Sequence, residues 1–226
     1  MAEATLQPAS TNDNNGNGVV KVFDCFEEFD SDLLKRFSTF CKELEKSGDD
    51  KAIIRINSPG GYISTLNSML SIMESMDVEW HAVAIGRASS AAQMLLSLAD
   101  VRYATVHARL MHHEAWSWTG GSADEMQEDA KRLKELWARL MQRFAKRTNK
   151  PARWWKQKSK SYEDRCFYFY ADEAKELGAI DYIGSPEVSV DKVITITPPP
   201  QRKKPTKKVK NDKRKNTKTK ASTKDK

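Results

Sequence analysis

The sequence predicts an α/β fold in which crossover helices join the strands of a parallel sheet. Short apolar runs, typical of buried strands, alternate with longer segments whose apolar residues recur at the 3.6-residue period of a helix. Strands that alternate with helices in this way usually pair in parallel. The length of 226 residues fits one catalytic domain with tails.

The elements follow from the pattern in chain order. The first strand is VVKVF, and Asp30 or Ser31 could cap the helix that follows it, which Gly48 ends. The strand AIIRI leads into the turn NSPGG, and the strand HAVAI ends at Gly86. The remaining predicted elements are a helix at 64–76, a helix start at 88–99, strands at 101–106 and 108–113, a long helix at 123–147 and a short helix at 171–178.

The long helix at 123–147 carries a broad apolar stripe. Its members are Met126, Ala130, Leu133, Leu136, Trp137, Leu140, Met141 and Phe144. The stripe is wider than one small core needs, so it predicts either ordinary core packing or a surface that also meets another subunit.

Charge and composition divide the chain into three parts. Residues 1–18 are rich in Asn, Gly, Ser and Thr and are predicted to be disordered. The predicted folded domain spans 19–190, and a Pro-rich then Lys-rich tail at 191–226 is also predicted to be disordered. Residues 201–226 carry a net charge of +11, and the whole chain carries +7. The residues before 201 therefore carry a net charge of 7 minus 11, or −4, and are mildly acidic.

The sequence argues against several classes of protein. The polar N-terminus lacks the basic start and apolar run of a signal peptide, and no apolar stretch reaches the roughly 18 residues of a membrane helix. The three cysteines are too scattered for a disulfide framework, and no Cys/His spacing suggests zinc. We therefore expect a soluble cytoplasmic protein with no metal and no cofactor.

Two glycine-containing turns, NSPGG and GRASSAA, each follow a buried strand. In a parallel sheet both turns fall at the carboxyl edge, where ligands usually bind. Gly60 and Gly61 permit close approach of the backbone to a substrate oxygen, and Ser90 stands at the start of a helix, whose partial positive charge favours an oxyanion. Alone, each feature also fits an ordinary turn or a helix cap.

The order of the motifs is more specific. A Gly-Gly loop is followed by Gly-x-Ala-Ser-Ser-Ala-Ala, then by RLMHHEA, then by an acidic residue before an AxEAxxxG segment. From about Ile53 to Ile183 this resembles the Clp-type serine peptidases, the proteolytic subunits of the ATP-dependent Clp protease and their phage-encoded relatives. The resemblance implies a ClpP/crotonase-like repeated β-β-α fold with a long protruding handle helix.

The resemblance also implies the nucleophile and the base. The family motif Gly-x-Ala-x-Ser-x-Gly falls on residues 86–92 and makes Ser90 the nucleophile, with Ala92 in place of the usual glycine. Ser89 is the rival hydroxyl and fits a local cap. The family pattern Arg-x-Met-x-His places the general base on His113, and His112 points to the opposite face if this stretch is a strand.

The acid that would orient the base is less clear in the sequence. Counting back five residues from Ala171, as the family spacing requires, reaches Cys166. We favour Asp164. It would take the family position if this sequence carries two extra residues, relative to the family, within CFYFY. Glu163, Asp172 and a dyad without an acid remain alternatives.

The rest of the resemblance concerns the oxyanion and the assembly. It implies that the backbone amides of Gly61 and Ala91 form the oxyanion hole, and that the subunits form stacked rings around a chamber that admits unfolded chains. No GxxxxGK phosphate-binding loop is present, so any ATP dependence would come from a partner AAA+ unfoldase.

Three other functions remain open. A crotonase-type acyl-CoA enzyme shares the fold and holds an oxyanion with paired amides. A non-catalytic assembly or nucleic-acid-binding protein could act through the basic tail, although the tail lacks aromatic residues for base stacking and also fits a plain solubilising segment. A phage-encoded peptidase of this type could act in capsid maturation.

Overall fold

The computed structural model describes residues 20–190 and 194–199. The predicted disordered segment 1–18 and the basic part of the tail lie outside these residues. The described elements, in chain order, are β1 (Lys21–Cys25), α1 (Ser31–Ser47), β2 (Lys51–Ser58), α2 (Ile63–Ser75), β3 (Glu79–Ser89), α3 (Ala91–Leu98), β4 (Val101–Ala104), β5 (Arg109–His113), α4 (Ala123–Arg147), α5 (Ala152–Lys160), β6 (Cys166–Tyr170), α6 (Ala171–Glu176), β7 (Tyr182–Ile183), β8 (Glu187–Val190) and β9 (Ile194–Thr197).

The main sheet has seven strands and is largely parallel. Its continuous order is β1-β2-β3-β4-β7, and β5 branches from β3 and carries β6 at its other edge. All of these pairings are parallel except β5 with β6, which is antiparallel. The predicted α/β class with a parallel sheet and crossover helices is therefore confirmed.

Strand β3 is central to the sheet. One of its edges pairs with β2, and the other pairs first with β4 and then with β5. Its first half, His81 to Ala84, pairs with β4, and its last residues, Arg87 to Ser89, pair with β5. The sequence predicts that this strand ends at Gly86, whereas the structure continues it to Ser89. The extension exists because β5 supplies a pairing partner that local sequence does not reveal.

Helix α1 shows how local sequence and packing agree. The Asp30 carboxylate accepts hydrogen bonds from the amides of Asp32 and Leu33, both at 2.9 Å, and Gly48 closes the helix at φ 68°. Its buried residues, Leu33, Phe37, Cys41 and Leu44, lie on the stripe that the 3.6-residue period predicts. Burial of each large apolar side chain contributes about 1.5–3 kcal/mol.

The long helix α4 is packed at one end only. Ser122 and Glu125 form a capping box at its start, and residues 123–132 are all exposed. Only Leu140, Met141 and Phe144 are buried. Within the described chain, the first half of the predicted apolar stripe therefore has no core to contact.

Five elements do not appear among those predicted from the sequence. They are α5, β6, β7 and the two strands of the hairpin that β8 forms with β9. Strand β9 lies in the segment 191–226, for which the sequence predicts disorder, and it pairs with β8 in an antiparallel register. The structured part of the chain therefore extends past residue 190.

Candidate active site

Ser90 lies between β3 and α3 in an unusual backbone conformation. Its φ of 56° and ψ of −121° fall outside the regions that side-chain-bearing residues normally occupy. Such a conformation costs about 1–3 kcal/mol and is common where a strand turns sharply into a helix to present a nucleophile. The Ser90 amide donates to Met111 O at 2.8 Å, which holds the turn against β5.

The Ser90 hydroxyl is not used as a helix cap. No hydrogen bond from a helix amide reaches it, although Ser90 is the N-cap residue of α3. Instead, Ser90 Oγ lies 2.7 Å from His113 Nε2. A serine before a helix usually caps it with its side chain, but the Ser90 side chain does not cap α3.

His113 ends strand β5 and reaches Ser90 because of the pairing between β3 and β5. The register joins Ser89 with Met111, so the residue after Ser89 lies beside the end of β5. Burial lowers the pKa of His113 below its usual value. The imidazole is therefore neutral near pH 7 and can accept a proton at Nε2.

Ser89, the rival hydroxyl, is the last residue of β3 and is buried, with 5% of its surface exposed. The hydroxyl in hydrogen-bond contact with His113 belongs to Ser90. The strand alternation predicted for the two histidines is also present, since His112 is buried and His113 is partly exposed.

The Gly-Gly loop touches the start of α3. A methyl group on Gly60 would lie 2.5 Å from Ser89 O and 2.9 Å from Ala91 N, and the φ of Gly60 is +92°. The amides of Gly60 and Tyr62 hold the loop, through Ser58 Oγ and Phe29 O. Only glycine permits this approach.

The backbone amides of Gly61 and Ala91 donate no hydrogen bond among the described residues. Ala91 opens α3, so its amide precedes the first intrahelical bond, which Met94 donates to Ser90 O. These are the two amides that the sequence predicts for an oxyanion hole.

The predicted acid does not contact the base. Asp164 Oδ1 accepts a hydrogen bond from the Cys166 amide at 3.0 Å, and no carboxylate among the described residues is hydrogen-bonded to His113. In the β5–β6 register His113 faces Cys166, the residue that the ungapped count reaches, and Asp164 precedes β6. Asp164 remains a prediction that no contact supports.

The sequence reasoning missed a buried polar network behind the site. His112 Nδ1 lies 3.1 Å from Gln93 Oε1, and Gln93 Nε2 donates to Ser97 Oγ at 3.0 Å. Burial, with a smaller contribution from His113, lowers the pKa of His112 to about 3. A polar residue at position 93 inside an apolar helix start was the one signal available.

Among the residues that the structure covers, no group of three or more His, Cys, Asp or Glu side chains is placed to hold a metal ion. No helix in the described part of the chain is long and apolar enough to cross a membrane. Cys25, Cys41 and Cys166 are free thiols.

Comparison with known proteins gives a consistent result. The sequence profile of the Clp protease family matches residues 25–187. A relative from Bacillus licheniformis named ATP-dependent Clp protease proteolytic subunit 2 is 31% identical over 159 residues, which cover 69% of this chain and 82% of the relative. A protein of the same name from Tropheryma whipplei is 34% identical over 130 residues, covering 57% of this chain and 70% of that protein. With a strand-to-helix serine against a histidine on a parallel α/β sheet, the chain belongs to the Clp protease family and is a serine-type peptidase.

Proposed function

We propose that Ser90 is the nucleophile and His113 the general base of peptide-bond hydrolysis. The observation that carries the proposal is the 2.7 Å contact between Ser90 Oγ and His113 Nε2. The strained backbone at Ser90 and the neutral state of His113 support the same assignment. A crotonase-type acyl-CoA reaction would use paired amides but would have no need of this contact.

The reaction follows from these groups. Ser90 Oγ attacks the carbonyl carbon of the scissile bond while His113 Nε2 takes the hydroxyl proton. The carbonyl oxygen becomes an oxyanion, which the amides of Gly61 and Ala91 stabilise. His113 then gives its proton to the leaving amine, the C–N bond breaks, and an acyl-enzyme remains on Ser90. Water, deprotonated by His113, then attacks the acyl carbon. The bond from that carbon to Ser90 Oγ breaks, His113 returns the proton to Ser90 Oγ, and the acid product leaves.

The dyad carries this reaction in the conformation described. Asp164 stays in the proposal only as the acid predicted from the sequence, because its carboxylate is engaged with the Cys166 amide. Cys166 occupies the place across the strand pair from His113, where a carboxylate could reach the imidazole. A thiol there is a weak partner, and burial raises its pKa further, which keeps it neutral.

Several features support a homo-oligomer with an internal chamber. Met126 and Leu136 of α4 are 39% and 37% exposed in the single chain, and the first ten residues of this helix contact no core. Apolar side chains in such a position are typical of a subunit contact. The relatives are named subunits of an ATP-dependent protease, and this chain has no GxxxxGK loop, so we propose that an AAA+ unfoldase delivers unfolded polypeptide.

The proposal places this peptidase in the cytoplasm, or in the host cytoplasm if a phage encodes it. General proteolysis and capsid maturation use the same chemistry, and the basic tail that could distinguish them lies outside the described residues. A disordered N-terminal segment over 1–18, a peptidase domain over 19–190 and a disordered basic tail remain the proposed division of the chain, with the β8–β9 hairpin extending across the boundary at 190.

The direct test is hydrolysis of a fluorogenic peptide by the assembled wild type and by Ser90→Ala, His113→Ala and Ser89→Ala. We expect the first two variants to lose kcat by about 10⁴-fold or more to a similar level, because the two residues act as one unit. Ser89→Ala is the matched control and should keep most of the rate. Loss in Ser89→Ala with activity kept in Ser90→Ala would refute the assignment.

A further inference from the structure

A buried polar pair lies directly behind the proposed dyad. Gln93 and His112 are 0% and 1% exposed, and their side chains meet at 3.1 Å. Gln93 follows Ser90 by three residues on α3, and His112 immediately precedes His113 on β5. The pair therefore links the helix that presents the nucleophile to the strand that presents the base.

The donors and acceptors of this pair can be assigned from the far end of the network. Ala179 O can only accept, so the Ser97 hydroxyl, at 3.0 Å, donates to it. Ser97 Oγ then accepts from Gln93 Nε2, which leaves Gln93 Oε1 to face His112. His112 must therefore carry its proton on Nδ1 and donate it to Gln93.

The His112 ring is held on several sides. Its plane lies at 8° to that of Phe144 with the centroids 5.3 Å apart, and Trp155 and Trp137 lie at 5.1 and 6.0 Å. Ser159 Oγ, which donates to Trp155 O at 3.0 Å, also lies 3.4 Å from the backbone carbonyl oxygen of His112. The ring cannot turn away from Gln93 without displacing the packed ends of α4 and α5.

The Gln93–His112 pair is less favourable for folding than apolar side chains would be in the same space. His112 Nε2 is buried and has no hydrogen-bond partner within the described chain. An unsatisfied buried polar atom destabilises the folded state, whereas two apolar side chains of the same shape would avoid that cost. Packing alone therefore does not account for a glutamine and a histidine here.

We propose that Gln93 and His112 are positioning residues, whose hydrogen bond fixes the distance between Ser90 Oγ and His113 Nε2. This inference rests on the proposed function of the dyad. The bond adds a side-chain link to the backbone link that Ser90 N makes with Met111 O, so that the Ser90 turn and α3 are held to β5 at two points. A displacement of about 1 Å between reacting groups can reduce the rate about 100-fold.

The test separates positioning from packing with two variants. The double variant Gln93→Met/His112→Phe replaces both partners with apolar side chains of similar size. We expect its Tm to stay near that of the wild type and its kcat to fall by about 10- to 100-fold with little change in KM. His112→Asn keeps a donor near the position of Nδ1 but removes most of the ring, so its Tm should fall while its kcat stays near the wild-type value.

The measurements are peptide hydrolysis at temperatures well below each Tm, thermal unfolding, and oligomeric state by size-exclusion chromatography. Wild-type kcat in the double variant, with Tm maintained, would overturn the inference. If the Tm of the double variant also falls, the result for His112→Asn is decisive. A reduced kcat in His112→Asn would overturn the inference, and a kcat near the wild-type value would support it. Failure of the dyad itself would appear separately, as activity retained in Ser90→Ala.

Discussion

At the residue scale, the proposed site depends on the backbone conformation and the hydroxyl contact of one serine. Ser90 accepts a conformation that few non-glycine residues adopt, and its hydroxyl faces His113 instead of capping α3. Both features cost stability, and both fit the proposed role of Ser90 as a nucleophile at the carboxyl edge of the sheet.

The protonation of His113 leads to a prediction about pH. The base acts only when neutral, and burial lowers the pKa of His113, so protonation occurs at lower pH than for an exposed histidine. We expect the acid limb of kcat/KM for peptide hydrolysis to have an apparent pKa below about 6.5, the usual histidine value. The residual rate of His113→Ala should lack this limb. An acid limb centred above the usual value would contradict the assigned environment.

Position 166 leads to a gain-of-function prediction. In Cys166→Asp a carboxylate would face His113 across the strand pair and stabilise the imidazolium that forms during attack. We expect kcat for peptide hydrolysis to rise about 10-fold or more. Cys166→Ser controls for loss of the thiol, and Asp164→Asn should have little effect if the dyad works alone. A large loss in Asp164→Asn, with no gain in Cys166→Asp, would identify Asp164 as the acid.

At the element scale, the site is the meeting point of the Gly-Gly loop, the start of α3 and the end of β5. The first two were predictable because each is marked by local sequence, the glycine pair and the small residues after Gly86. The position of β5 beside the end of β3 was not, because strand pairing is set by the whole sheet. For the same reason the register that joins His113 to Cys166 and the contact of Gln93 with His112 could not be read from spacing.

The elements that were missed have physical explanations. Helix α5, ARWWKQKSK, has nine residues and buries only Trp155 and Ser159, so its apolar period is too short to stand out. Strand β6, CFYFY, alternates buried and exposed residues in the structure, but all five residues are Cys, Phe or Tyr, so the sequence itself shows no alternation. In both cases the three-dimensional partner, not the local sequence, determines the element.

The contact between the loop and α3 gives a prediction at this scale. Gly60→Ala would force a residue with a side chain to φ +92° and would place its methyl 2.5 Å from Ser89 O. Since the Ser90 turn would have to move, we expect kcat/KM to fall about 100-fold. Gly120→Ala is the matched control, because a methyl there meets nothing within 4 Å. Equal, near-wild-type hydrolysis by both variants would contradict the described approach of the loop.

At the scale of the whole molecule, the exposed apolar residues of α4 lead to a prediction about the proposed assembly. Leu136→Lys would put a charge into the exposed part of the apolar stripe, and burial of an unpaired charge in a subunit contact is strongly unfavourable. We expect this variant to shift toward smaller species and to lose peptide hydrolysis, as measured by light scattering after size-exclusion chromatography. Gln142→Lys adds the same charge on the opposite side of α4 and should assemble normally. Normal assembly of Leu136→Lys would rule out this stripe as the contact.

The central claim, that Ser90 is the nucleophile activated by His113, is tested most directly by covalent labelling. The assembled protein would be treated with a fluorophosphonate and the modified residue located by peptide mass spectrometry. The account predicts one adduct on Ser90, formed in the wild type and in Ser89→Ala and strongly slowed in His113→Ala. An adduct on Ser89, or none in a correctly assembled wild type, would contradict it.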